Sequence, residues 1–139
     1  MPTIQPLHPP GWAEPKGYAN GMAVTFGVGD RCVFVGGQIG WNAQQQFEST
    51  DFIDQCRQAL SNVRAVLHSA GAGPEHMVRM TWYITDRNQY NQRLRELGHV
   101  YREIMGRHFP AMTCVEVQAL VEAQAQVEIE VTAVAPSLP

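Results

Sequence analysis

The alternating pattern near the C-terminus restricts the fold of this chain more than any other sequence feature. In residues 126–133 every second position is apolar, and Glu128 and Glu130 lie among the positions between. Successive side chains of a β-strand point to opposite faces of a sheet, so this pattern predicts a strand with one apolar and one acidic face. Residues 114–119 alternate in the same way. We expect the two segments to form an antiparallel hairpin across a loop of about five residues.

Two segments have the period of an amphipathic helix. In residues 51–69 the apolar side chains share one face, and polar residues such as Gln55 lie mostly elsewhere. Asp51 favours a helix start and Gly71 a helix end. A second helix is predicted after the D-x-x-Q capping signal at residues 86–89. Its expected core stripe is Tyr90, Leu94, Leu97, Tyr101 and Ile104.

The remaining segments predict extended structure. Residues 1–17 contain five prolines and are expected to form an extended arm. Residues 22–28 and 31–35 are predicted to form a hairpin around a Gly-Asp turn, and residues 77–85 alternate as a further strand. The order β-β-α-β-α-β-β indicates one α+β domain over residues 1–139, in which two helices cover one face of a six-stranded mixed sheet.

The second face of this sheet would carry Glu, Gln and Cys beside large apolar residues. Such a face is either solvated or packed against another copy of the chain, and self-association is the more economical alternative.

Composition excludes several classes of function. The net charge is −3 and the ten Lys and Arg residues are scattered, which argues against a nucleic-acid surface. The three cysteines lack C-x-x-C spacing, and the five histidines show no metal-ligand spacing. The N-terminus does not resemble a signal peptide, and no apolar run approaches the ~20 residues needed to span a bilayer. We therefore expect a cytoplasmic protein without a metal site.

Four motifs occur in order along the chain. They are GGQI at residues 36–39, QCRQALSNV at 55–63, FPAMTCVEV at 109–117 and VEIE at 127–130. Together they resemble the YjgF or reactive-intermediate-deaminase (Rid) family over about residues 18–134, in the group that lacks the signature arginine. The resemblance implies a chorismate-mutase-like fold, a homotrimeric barrel with pockets between subunits, and hydrolysis of enamines and imines without a metal or organic cofactor.

The resemblance also assigns roles to residues. Glu128 matches the acidic pocket residue that would serve as acid and base. Met112 stands where deaminating members have the arginine that holds the substrate carboxylate, and Gly36 stands where many members have Ser. The residues implied to contact substrate are Tyr18, Gly36, Met112, Thr113 and Cys114. Four of these residues also have a purely structural interpretation: Glu128 as a solvated wall, Met112 and Tyr18 as packed side chains, and Cys114 as a small wall residue.

These observations leave several functions open. The first is hydrolytic deamination of a small enamine or imine at trimer-interface pockets, with a substrate range altered by Met112. The alternative is a non-catalytic trimer that binds a small molecule or a protein partner. The ribonuclease or translation-inhibitor activity ascribed to some relatives is disfavoured by the acidic charge and the lack of a basic patch.

Overall fold

Six strands and three α-helices make up the computed structural model, which describes residues 1–139. The strands are β1 (Thr3–Leu7), β2 (Gly21–Thr25), β3 (Arg31–Ile39), β4 (Met77–Ile84), β5 (Ala111–Glu116) and β6 (Val127–Ala135). The helices are α1 (Phe52–Ser69), α2 (Arg87–Gln92) and α3 (Leu94–Met105). None of the helices is both long and apolar enough to cross a membrane.

The strands form two sheets rather than the single six-stranded sheet expected from the sequence. β3, β6, β4 and β5 lie side by side in that order, and β1 and β2 form a separate antiparallel pair. Within the larger sheet only β4 and β5 run parallel. The sheet is therefore mixed, as predicted, but it has four strands.

Both predicted hairpins are wrong. β2 pairs with β1 instead of β3, so the N-terminal arm contains a strand. Pro6 is tolerated there because β1 is an edge strand, where a missing N–H costs no ladder bond. The C-terminal strands do not pair with each other either. β6 alternates over nine residues and lies between two neighbours, whereas the six-residue β5 occupies the edge beside β4. Val115, expected to face the core, is 42% exposed.

The first helix agrees with the prediction. Asp51 is the N-cap, and its carboxylate accepts a hydrogen bond from the N–H of Asp54 at 3.1 Å. Gly71 follows the helix with a φ of +70°, which glycine adopts without strain. The predicted apolar face is buried throughout and consists of Phe52, Cys56, Ala59, Leu60, Val63 and Leu67.

The second predicted helix is broken into two at Arg93. The side chain of Arg93 bonds the carboxylates of Asp51 at 2.6 Å and Glu96 at 2.8 Å, which holds the break against the start of α1. Because α3 restarts at Leu94, it is out of phase with α2, and Leu94 is 49% exposed instead of in the core. The other members of the α3 stripe, Leu97, Tyr101 and Ile104, are buried as predicted.

One face of the large sheet is covered and the other is open in the single chain. α1 packs against β3 and β6, and α3 packs beside α1. The opposite face, here called the open face, presents Phe34 at 75% exposure together with Val115 and Glu130. The mixed polar and apolar face predicted from the sequence is therefore present.

Candidate functional site

Glu128 lies on the open face. Its neighbours in β6, Val127 and Ile129, are fully buried beneath the helices, so the alternation of the strand directs Glu128 the other way. It is opposite Tyr83 of β4 in the register and is partly buried. Its carboxylate belongs to none of the ion pairs or side-chain hydrogen bonds of the chain. A carboxylate in this position is available to a ligand.

Two glycines form a β-bulge in β3, and one of them lies against this carboxylate. The register between β3 and β6 shifts between Val35 and Gln38, at Gly36 and Gly37. A Cβ on Gly37 would lie 2.7 Å from the carboxyl carbon of Glu128, so only glycine leaves room for the side chain in this position. A Cβ on Gly36 would meet nothing within 4 Å. The glycine pair of the GGQI motif thus has two separate roles, one to seat Glu128 and one to keep the surface open.

A shallow groove of about 310 Å³ on the open face includes Gly36, although Glu128 itself does not line it. Glu130 lines it and accepts a hydrogen bond from the hydroxyl of Tyr83 at 2.7 Å, and this bond is the main cause that raises the pKa of Tyr83. Thr113 is opposite Thr81 in the parallel register, and Thr81 lines the groove. The structure therefore places Gly36, Thr113 and Glu128 on one face.

Met112 and Cys114 point to the opposite side of the sheet. They are opposite Met80 and Trp82 in the register, and both of those side chains are buried beneath the helices. Met112 is partly buried and packs against the core. A single chain therefore does not bring Met112 and Glu128 into one pocket.

The thiol of Cys114 is not activated. Although the residue keeps exposed surface at the sheet edge, burial of its sulfur raises the pKa of the thiol, and the neighbouring Tyr90 hydroxyl only opposes that shift. The thiolate is the nucleophilic form of cysteine, so a raised pKa argues against covalent catalysis.

Met112 lines a cleft of about 360 Å³, here called the Met112 cleft. Gly98 of α3 lines the same cleft. Its walls are largely apolar and aromatic and include Trp82, Tyr90, Leu97, Tyr101 and Phe109. Its charged residues are Lys16, Arg102 and Arg107. The volume is at the lower end of the ~300–1,000 Å³ range of small-molecule sites.

Tyr18 lies beside the Met112 cleft rather than in it. Its side chain is 43% exposed and lines an adjacent groove that shares Arg107 and Phe109 with the cleft. The next residue, Ala19, donates its N–H to the carbonyl of Pro110 at 3.0 Å, which fixes Tyr18 near the start of β5.

Two motif residues of α1 hold loops in place instead of lining a pocket. Gln55, expected on the polar side, is 1% exposed; its amide donates to the carbonyl of Gln124 at 3.0 Å and accepts from the N–H of Gln126 at 2.9 Å. Asn62 donates to the carbonyls of Ile39 at 3.0 Å and Trp41 at 2.8 Å. The QCRQALSNV motif therefore joins α1 to the ends of β3 and β6.

Sequence reasoning missed three features of these sites. Gly37 was visible in a motif, but its contact with Glu128 depends on a bulge. Lys16 and Trp82 reach the Met112 cleft only through the tertiary fold, and no local pattern marks them. No three His, Cys, Asp or Glu side chains come together as a group that could hold a metal ion.

Comparison with known proteins links these features to one family. The sequence model of the family described as Endoribonuclease L-PSP matches residues 16–135. The RutC family protein PH0854 of Pyrococcus horikoshii is 33% identical over 104 residues, which is 74% of this chain and 77% of that protein. The human 2-iminobutanoate/2-iminopropanoate deaminase is 29% identical over 106 residues, 76% of this chain and 74% of that protein.

A solved structure extends the similarity to the fold. YyfB of Yersinia pestis, a protein of the conserved Rid family, superimposes with a TM-score of 0.81 at 28% identity. The superposition covers 94% of this chain and 97% of YyfB.

Proposed function

This chain belongs to the Endoribonuclease L-PSP family, also called the YjgF or Rid family, and from that premise we propose that it hydrolyses a small reactive enamine or imine to a carbonyl compound and ammonia. The observation that carries the proposal is the carboxylate of Glu128, which lies over Gly37 on the open face without a side-chain partner. The human relative named as an imine deaminase supports the reaction class.

The proposed chemistry needs one carboxyl group. Glu128 accepts a proton from a water molecule as the water oxygen bonds to the carbon of the C=N group. It returns this proton to nitrogen, which gives a carbinolamine. It then takes the proton of the carbinolamine hydroxyl and passes it to the amino nitrogen, so that the C–N bond breaks, ammonia leaves and the carbonyl forms. An enamine enters the same sequence after its β-carbon gains a proton and its nitrogen loses one, which gives the imine tautomer. Water and substrate supply all atoms, and no electrons are exchanged.

We propose further that the site is completed between copies of the chain in a homotrimer. Glu128, Gly36 and Thr113 are on the open face, whereas the Met112 cleft lies on the helix side at the β5 edge. Packing of the open face of one copy near the β5 edge of another would join the two halves. The exposed apolar side chains Phe34 and Val115 favour such burial, because each would leave water on assembly.

The same proposal includes an altered substrate range. Met112 provides no charge at the position where arginine holds a carboxylate in deaminating relatives, so a small 2-imino acid would lose a bidentate contact there. A hydrogen bond to a charged group is worth about 1.5–3 kcal/mol net, which corresponds to roughly tenfold to a hundredfold in affinity.

Ammonia release over a panel of imines tests the reaction. An amino-acid oxidase generates carboxylate-bearing imines in situ, and an amine oxidase generates neutral ones. We expect the protein to accelerate ammonia release from at least one class above the spontaneous rate. Binding of these compounds or their products without any acceleration would favour the non-catalytic alternative.

Light scattering tests the assembly. The proposal predicts about three times the 15.5 kDa mass of the chain. A mass of one chain would contradict the shared site.

A further inference from the structure

The charges of the Met112 cleft all have one sign. Lys16, Arg102 and Arg107 line it, and no Asp or Glu does. The chain as a whole has 13 acidic and 10 basic residues, so an all-cationic cleft is opposite in sign to the net charge. None of the three cations takes part in an ion pair. Three unpaired cations around a concave, largely apolar surface would attract an anion.

A glycine in α3 positions one of these cations. Gly98 lies in the helix interior, where glycine destabilises a helix relative to alanine. A Cβ at this position would lie 3.1 Å from Nη1 of Arg102, which shows that the guanidinium lies against the helix surface over Gly98. The absence of a side chain at residue 98 therefore lets Arg102 lie flat along the wall of the cleft.

The apolar walls are built from ordered aromatic side chains. Tyr101 and Phe109 stack with ring centroids 5.3 Å apart, and the Tyr101 hydroxyl donates to the carbonyl of His108 at 2.6 Å. Trp82 is 3% exposed, and its indole N–H has no acceptor. These contacts give the cleft an ordered aromatic wall, in which the buried indole N–H is not exposed to a ligand.

We propose that the Met112 cleft binds an organic carboxylate with a bulky apolar body, and that Arg102 and Arg107, assisted by Lys16, hold the carboxylate. The inference rests on the proposed function and names the substrate class of the same site. Arg102 is on α3, Arg107 is on the loop after it, and Lys16 is in the N-terminal segment. The carboxylate of the ligand therefore lies away from β5, and its apolar body fills the space beside Met112. A three-carbon imine is too short to reach both the cations and the apolar space beside Met112. An imine with an aromatic or branched side chain reaches both.

Direct binding of stable product analogues tests this assignment independently of turnover. Isothermal titration calorimetry compares phenylpyruvate, which has a carboxylate and a ring, with phenylacetone, which keeps the ring and carbonyl but has no charge. Pyruvate, which lacks the ring, is the third probe. Wild-type protein should bind phenylpyruvate at least about tenfold more tightly than either of the others, and added salt should weaken only the binding of the two anions.

Arginine variants assign the contact to residues. Arg102→Gln and Arg107→Gln should each weaken phenylpyruvate binding about tenfold and leave phenylacetone binding unchanged. Arg102→Lys, which keeps the charge, should lose less. Arg95→Gln is the matched control, because Arg95 is an exposed arginine about two turns away on the same helix and does not line the cleft. The three arginine side chains lie on the surface or at its edge, so all four variants should keep the wild-type melting temperature.

The outcomes separate this inference from the proposed function. Equal affinity for phenylpyruvate and phenylacetone, no binding of phenylpyruvate, or unchanged binding in both glutamine variants would overturn the carboxylate assignment. If the protein then still hydrolysed neutral imines, the proposed hydrolase activity would stand without the carboxylate site. The expected binding pattern without turnover of any imine would support the carboxylate site and contradict the hydrolase.

Discussion

Replacing Gly37 by alanine tests whether the position of the Glu128 carboxylate matters. The new Cβ would lie 2.7 Å from the carboxyl carbon and 2.9 Å from Cγ of Glu128. Carbon atoms pack at about 3.5–4.0 Å, so the carboxyl group must move by about 1 Å. A displacement of that size at a reacting centre costs about a hundredfold in rate. We therefore expect kcat to fall about a hundredfold on any imine that the wild type accepts.

The fold should tolerate this change, because the displaced atoms are at the end of a side chain on the open face. Gly36→Ala is the control for stability, since its Cβ meets nothing within 4 Å. Alanine at Gly36 should raise the free energy of unfolding by about 0.4–1 kcal/mol, because alanine lowers the conformational entropy of the unfolded chain. Gly37→Ala should combine that gain with an overpacking cost of about 1–3 kcal/mol.

Ammonia release gives kcat for the Gly37→Ala protein, and urea denaturation gives the free energy of unfolding of both variants. Wild-type turnover by Gly37→Ala, with a crystal structure showing the carboxylate displaced, would refute the argument that catalysis depends on the position of Glu128. Loss of turnover together with global unfolding would instead show that the bulge is needed for the fold.

Three further predictions concern other residues. Met112→Arg should raise kcat/KM for small 2-imino acids about tenfold, because a bidentate partner is restored; no change would show that the side chain cannot reach the substrate. Gln55→Leu should lower the free energy of unfolding in urea by about 2–4 kcal/mol, because the N–H of Gln126 and two loop carbonyls lose their buried partner; a loss below about 1 kcal/mol would contradict this role. The hydrogen bond from Arg93 lowers the pKa of Asp51 in the folded protein. The ionised Asp51 therefore stabilises the fold at pH values above its unfolded pKa of about 3.9, and this stabilisation is lost as the pH falls through the folded pKa. Asp51→Asn should therefore make the free energy of unfolding fall less steeply below about pH 4. The difference should be less than about 1 kcal/mol, because the ion pair with Arg93 is partly exposed. An unchanged pH profile would contradict this role of Asp51.

Local pattern predicted α1, β4 and β6 and their buried faces well, but it assigned the wrong face of β5 to the core, since Val115 is exposed. The period of α1 and the alternation of β6 indicate which side of each element meets the core, and Asp51 indicates where α1 begins. All three signals depend only on residues that are close together in the sequence. The same alternation predicted that Glu128 faces away from the helices. The motif resemblance placed the chain in its family, which the family match then confirmed.

Strand pairing was predicted poorly because it depends on residues far apart in sequence. Nothing near β2 indicates that it pairs with the proline-containing β1. Nothing near β5 indicates that it pairs in parallel with β4, whose residues lie 32 positions earlier in the chain than their partners in β5. The break at Arg93 likewise depends on a carboxylate at Asp51, on another helix. The cations of the Met112 cleft come from separate parts of the chain, so only the fold shows that they share a surface.

The turnover of Glu128→Gln tests the central claim most directly. Glutamine keeps the volume of the side chain but can neither accept a proton from water nor deliver one to nitrogen. General acid–base catalysis contributes about 10²–10⁴-fold, so we predict that kcat falls by at least about a hundredfold while the mass by light scattering and the melting temperature stay at wild-type values. A Glu128→Gln protein that releases ammonia at the wild-type rate would contradict the acid–base role and leave Glu128 as a polar wall of the sheet.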